Sequence, residues 1–138
     1  MKPINSYLTF NGNCREAMTF YKECLGGELS FQTVGDSPLS EKMPEQMKDC
    51  ILHATLVNGE RIIMGTDMVS NKGLIKGNAV ALNLICSSED EIKTVYTKLA
   101  EGGDALHPPE PGFRGSMFGD LTDRYGNNWV LHYEVNAR

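Results

Sequence analysis

Three histidines, His53, His107 and His132, together with Glu134 and four cysteines, are the side chains in this sequence best suited to chemistry. His132 and Glu134 stand two apart in WVLHYE. On a strand they share one face with Val130. An imidazole and a carboxylate on one face could contact a ligand, move a proton or hold a divalent ion. The alternative is a strand-end histidine near solvent. His53 falls in ILHATLV, with Ile51, Thr55 and Val57 on its face. It could line a binding surface as a donor or acid/base, or be a satisfied sheet histidine. His107 precedes Pro108-Pro109, which favours extended backbone at the surface. Together His53, His132 and Glu134 have the ligand types of a facial metal site; their spacing does not require them to converge.

Cys14, Cys24, Cys50 and Cys86 form no C-x-x-C pair, so a zinc ribbon fails on spacing. Cys14 and Cys24 are separated by about 15 Å of helix rise, too far for a disulfide. Reduced, buried thiols are the expectation. No GxSxG nucleophile elbow is present. Gly112-Phe113-Arg114-Gly115-Ser116 has glycines, but it does not link a strand to a helix as a phosphate loop does. Arg114 beside Phe113, in a Pro/Gly-framed loop, could instead cover a ligand; otherwise it is a solvated charge.

The elements that must position these residues are legible from periodicity. Ile4–Phe10 reads as a strand and Asn11-Gly12-Asn13 as a turn. A helix over Asn13–Leu25 has Glu16 placed for a capping box and an apolar stripe of Ala17, Phe20, Tyr21, Cys24 and Leu25. Gly26-Gly27 ends it. Glu28–Val34 is a strand, and 35–48 a loop. Asn58-Gly59 joins the strands Cys50–Val57 and Arg61–Thr66 as a hairpin. The order then repeats. Asn78–Cys86 is a strand, and a helix over Ser88–Ala100 carries Glu91 for its cap. Its stripe is Ile92, Val95, Tyr96 and Leu99. After Gly102-Gly103 come a short strand near Asp104–His107, a loop over 108–115, and a hairpin of Ser116–Thr122 and Asn128–Glu134. Trp129, Leu131 and Tyr133 face opposite to His132, so Trp129 is a core residue. Gly126 supplies a positive φ in the turn between the last two strands.

TFY at Thr19–Tyr21 recurs as TVY at Thr94–Tyr96, and the double glycines recur in step. Each half is a strand, a helix and three strands. Neither can bury its sheet alone, so the halves, about 1–70 and 75–138, are expected to pair within one domain over 1–138. The fold class is α+β: two βαβββ units whose curved mixed sheet forms a cup with room for a ligand.

With 138 residues, 41% hydrophobic and 22% charged, one core is the limit. The net charge of −5 argues against nucleic acid and an anionic membrane as partners. MKPINSYLTF has no apolar h-region and no apolar run is long enough for a membrane span, so a cytoplasmic protein is expected.

YLTFNGNCREAMTFYKECLGGEL and FGDLTDRYGNNWVLHYE resemble the vicinal oxygen chelate superfamily of glyoxalase I, bleomycin-resistance proteins and extradiol dioxygenases. NGNCREAMTFY, HATLVNGERIIMGTD and FGDLTDRYGNNW resemble its PhnB-like subgroup, once labelled 3-demethylubiquinone methyltransferase-like. No Gly-rich nucleotide motif supports that label. In metal-dependent relatives four strand residues, usually His, Gln or Glu, hold a divalent ion. The resemblance puts those positions at Ser6, Met64, Val80 and Val130, none a competent ligand. What it implies is a homodimer binding a small organic molecule with no cofactor or metal. The cup would be lined by Ser6, His53, Met64, Val80, Arg114, Val130, His132 and Glu134. The alternative is a metal-dependent glyoxalase- or dioxygenase-type lyase or isomerase with a displaced site.

Overall fold

The computed structural model describes residues 3–135. The backbone divides into two compact units, 1–75 and 76–138. In the first, β1 (Ser6–Thr9) leads to α1 (Cys14–Leu25), then β2 (Glu28–Thr33), β3 (Ile51–Asn58) and β4 (Arg61–Thr66). In the second, β5 (Leu82–Cys86) leads to α2 (Glu89–Ala100), then β6 (Asp104–Pro111), β7 (Met117–Thr122) and β8 (Asn128–Tyr133). The sheets have the same topology, β1-β4-β3-β2 and β5-β8-β7-β6. In each, the first strand pairs parallel with the last and the other pairs are antiparallel. The α+β class and the two βαβββ units expected from the sequence are therefore observed.

One helix covers one face of each sheet. Cys14, Ala17, Met18, Phe20, Tyr21 and Cys24 of α1 are buried, as are Ala54, Leu56 and Ile63 of its sheet. A methyl group at Gly65 would meet Cys14 Sγ and Met18 Sδ, both at 3.2 Å, which fixes the helix-covered side of β4. In the second unit all four expected stripe residues of α2, Ile92, Val95, Tyr96 and Leu99, are buried. So are Leu84, Cys86, Met117, Leu121, Trp129 and Leu131 of its strands. Each buried Val, Leu, Ile, Phe or Met among them contributes roughly 1.5–3 kcal/mol of hydrophobic stabilisation.

The helix starts differ. At α2 the expected cap forms: Ser88 Oγ accepts from Glu91 N at 3.0 Å, while Glu91 Oε1 accepts from Ser87 N at 2.8 Å. At α1 Asn13 makes no side-chain cap. Asp67, just after β4, takes over: Oδ1 accepts from Gly12 N and Cys14 N at 3.0 and 2.9 Å, and Oδ2 from Ile51 N at 2.8 Å. A carboxylate at a helix N-terminus also meets the positive end of the helix dipole. One buried side chain thus ties the start of α1 to β3 and β4.

Both helices end at double glycines. In each unit the second glycine lies against the neighbouring hairpin. A Cβ at Gly27 would stand 2.5 Å from Val57 O, and one at Gly103 would overlap Thr122 O. The larger departures from expectation are these. The loop over 35–48 contains two short 3₁₀ turns, Ser40–Lys42 and Glu45–Met47. β5 starts at Leu82 rather than Asn78. β6 continues through Pro108, Pro109 and Pro111, because it is an edge strand, where a missing N–H removes no ladder bond on the outer side.

Candidate functional site

Residues paired across a sheet share a face, so register assigns each candidate to a side. In the first unit Leu8, Gly65, Ala54 and Phe31 are in register on the helix-covered face. The neighbouring row, Tyr7, Met64, Thr55 and Ser30, therefore lies on the helix-free face. His53, paired with Gln32, lies there too. Its ring is 6.0 Å from that of Tyr7, and its Nε2 is 3.2 Å from Thr55 Oγ1. Ser6 is in register with Ile63 and Leu56, on the helix-covered side. Its hydroxyl donates to Ile62 O at 3.3 Å. Placing Ser6 beside Met64 on the ligand face was off by one residue; Tyr7 holds that place. A one-residue slip in a strand reverses the face of the side chain. Ile51 also departs from its expected place beside His53: a register shift between Gln32 and Thr33 intervenes, and Ile51 is buried.

In the second unit the helix-free face carries two adjacent rows. Asn83, Val130, Asp120 and His107 form one; Ile85, His132, Phe118 and Glu110 form the other. His132 sits between Ile85 and Phe118, which are 54% and 50% exposed. Its ring is 5.2 Å from that of Phe118. Val130 and His132 thus share the expected face, while Trp129 lies buried on the other. The Trp129 indole donates to Asp123 Oδ2 at 2.9 Å. Asp123 Oδ1 also accepts from Tyr125 N and Asn127 N at 2.9 and 3.0 Å. Asp123 therefore shapes the last turn, with Gly126 at φ 87° as expected.

Three other candidates lie elsewhere. Val80 is 79% exposed and precedes β5, with its carbonyl accepting from Asn128 Nδ2 at 3.2 Å. Glu134 is exposed and follows the end of β8, so it does not extend the His132 ladder. Arg114 is exposed in a 3₁₀ turn between β6 and β7, at φ 57°; the side chain of Phe113 is outside the described residues. His107 is exposed as expected, but the sequence did not reveal its partner: Nδ1 lies 2.7 Å from Asp120 Oδ1. A residue thirteen positions away gives no local signal of such a pair.

None of the four cysteines is in a disulfide. Burial, followed by the nearby Asp67 charge, pushes Cys14 up to about 12. Burial and the charges of Asp67 and Asp49 also raise Cys50. Thiolate is the reactive form, so both are held inert.

The four positions that the resemblance assigns to a metal do not fit an ion. Ser6 lies on the helix-covered face, Val80 is off its strand, and Met64 and Val130 offer a thioether and an alkyl group. Among the described residues no three His, Cys, Asp or Glu side chains gather to hold a metal. Hard and borderline divalent ions need carboxylate or imidazole donors there.

The Glyoxalase/Bleomycin resistance protein/Dioxygenase superfamily model matches residues 4–131. Protein YjdN of Escherichia coli K12 is 30% identical over 140 residues, covering 94% of both chains. The crystal structure of PA1353 from Pseudomonas aeruginosa is similar at 37% identity and a TM-score of 0.85, covering 97% of this chain and 98% of that one. A PhnB protein from Bacillus cereus is similar at 29% identity and a TM-score of 0.74, over 96% and 100%. No helix among the described residues is long and apolar enough to cross a membrane. The repeated βαβββ topology, the match over nearly the whole chain and the PhnB-type relatives agree: this chain belongs to the Glyoxalase/Bleomycin resistance protein/Dioxygenase superfamily.

Proposed function

We propose that this protein binds a small organic molecule on its helix-free sheet faces and needs no divalent metal to do so. The observation that carries this reading is the Ile85–His132–Phe118 row. Two half-exposed apolar side chains flank an imidazole on a rigid strand pair. Apolar area supplies affinity and a few polar groups, here His132 and Glu110 at the end of the row, supply orientation, the usual composition of a small-molecule site. Tyr7, His53 and Met64 give the first unit's helix-free face a similar character. A homodimer, in which a second copy covers apolar surface, belongs to the same proposal; a monomer mass by light scattering across a wide concentration range would contradict it.

The test is protein-observed NMR of the EDTA-treated protein titrated with a library of small aromatic compounds. At least one compound is expected to bind and to shift the His132 and Phe118 ring signals, with His132→Ala weakening binding. Binding that leaves those rings untouched, or that requires an added divalent ion, would overturn the reading.

A further inference from the structure

We propose that His107 and Asp120 form a built proton-accepting pair, which takes the proton of a phenolic or enolic hydroxyl on a ligand at the second unit's helix-free face. The proposal rests on the small-molecule reading above and names the chemistry of its ligand. Its foundation is the 2.7 Å contact of His107 Nδ1 with Asp120 Oδ1. A carboxylate oxygen accepts hydrogen bonds, so in the proposed pair Nδ1 is the donor, and a ring with its one hydrogen there presents a lone pair at Nε2. The His107 side chain is 78% exposed and that of Asp120 30%, so the accepting end is open while the orienting end is partly shielded.

Surface histidine–carboxylate pairs are common and contribute little to stability. This one differs in how its backbone is held. The Tyr96 hydroxyl, reaching from α2, donates to Asp120 O at 2.7 Å. Burial, and then the Asp120 charge, raise the Tyr96 phenol above its ordinary range, so it remains a donor. A buried side chain thus holds the backbone of β7 at the level of the pair. On the other flank Pro109 fits against Gly119: a Cβ there would stand 3.0 Å from Pro109 Cδ and 2.9 Å from His107 O. Only glycine lets β6 lie so close, and Pro108-Pro109 stiffen the backbone that follows His107.

The surroundings select the ligand class. Val130 is the in-register neighbour of Asp120, and half-exposed Phe118 is the next residue of β7 on the same face. They favour an apolar, flat body. A ligand carboxylate has no proton to give and is repelled by Asp120. A hydroxyl acid satisfies both conditions. In the step, the ligand O–H bond breaks with its electron pair remaining on oxygen. The proton bonds to Nε2, leaving an oxyanion beside an imidazolium that Asp120 accompanies; no co-reactant is needed. His107 touches the ligand, and Asp120 is a positioning residue.

The probe is 4-nitrophenol, whose phenolate absorbs in the visible. Intact protein is expected to increase the phenolate band at a pH where the free probe is only partly ionised. His107→Ala should abolish the increase and weaken phenolate binding about tenfold or more, the worth of a charge-assisted hydrogen bond. Asp104→Asn, a carboxylate removed from the same strand, should leave the increase in place. Nitrogen-15 NMR should show the His107 ring with hydrogen on Nδ1, and Asp120→Asn should lose that preference while the fold is kept. An Nε2–H tautomer in the intact protein would overturn the proposal, as would absence of phenol binding. Phenol binding with no change in the phenolate band would overturn it too, but leave the small-molecule reading standing.

Discussion

Asp67 and Asp123 show how single carboxylates organise this chain. Each is buried and accepts three hydrogen bonds, at the start of α1 and in the last turn. Truncating either leaves buried donors without an acceptor. Asp123→Ala is expected to lower unfolding free energy by about 2–4 kcal/mol, read by urea unfolding followed through Trp129 fluorescence. Asp67→Ala should cost a similar amount; a loss within experimental error would show that another group caps α1. Cys14 gives a pH dependence. Its folded pKa, about 12, lies above the ordinary 9.0. Its neutral form therefore contributes stability that is fully present below pH 9.0 and is lost as pH rises toward about 12. Urea midpoints should fall over that window, less steeply in Cys14→Ala than in the parent. Equal slopes would mean that the raised Cys50 and Tyr96 account for the whole effect. Asp67 was not visible in the sequence as a cap, because its donors lie 16 to 55 residues away and it competes with the nearer Asn13. Asp123 serves donors only two to six residues on, within a turn that the flanking strands mark.

At the scale of elements, the stripes on both helices and the Asn58-Gly59 hairpin were readable because they depend on short spacings. The extent of β6 was not. Three prolines argue against a strand locally, and only its place at the sheet edge makes them acceptable. Register was legible to within one residue, which is enough to assign a strand and not enough to assign a face. Met64 and Val130 were placed on their proper sides, whereas Ser6 was exchanged for Tyr7. Gly119 tests how β6 is seated. Gly119→Ala should push β6 from β7 and destabilise the protein by about 1–3 kcal/mol. Hydrogen exchange should rise in 104–111 and remain unchanged in β3 and β4. A uniform rise across both units would contradict a local role for Gly119. The cap at Ser88 is a second element-level test: Ser88→Ala should cost about 1 kcal/mol, measured by thermal unfolding.

For the whole molecule, the repeat was legible because the same order of elements and the same paired glycines occur twice. Gly27 and Gly103 give that repeat a physical reason: in each unit the helix can return to its sheet only where a side chain is missing. The superfamily supports many chemistries on one framework, so membership does not assign an activity. The proposed function rests on the set of side chains at the helix-free faces. Those of the second unit combine Ile85, Phe118 and Val130 with His132 and the His107–Asp120 pair. The central claim is organic-ligand binding without a metal. Its most direct test uses protein purified without a metal-affinity tag: metal content by mass spectrometry, then binding of an aromatic ligand and the melting temperature before and after EDTA. The account predicts substoichiometric metal, with binding and melting temperature unchanged by EDTA. A tightly held stoichiometric divalent ion, or binding lost on EDTA treatment and restored by zinc or nickel, would contradict it.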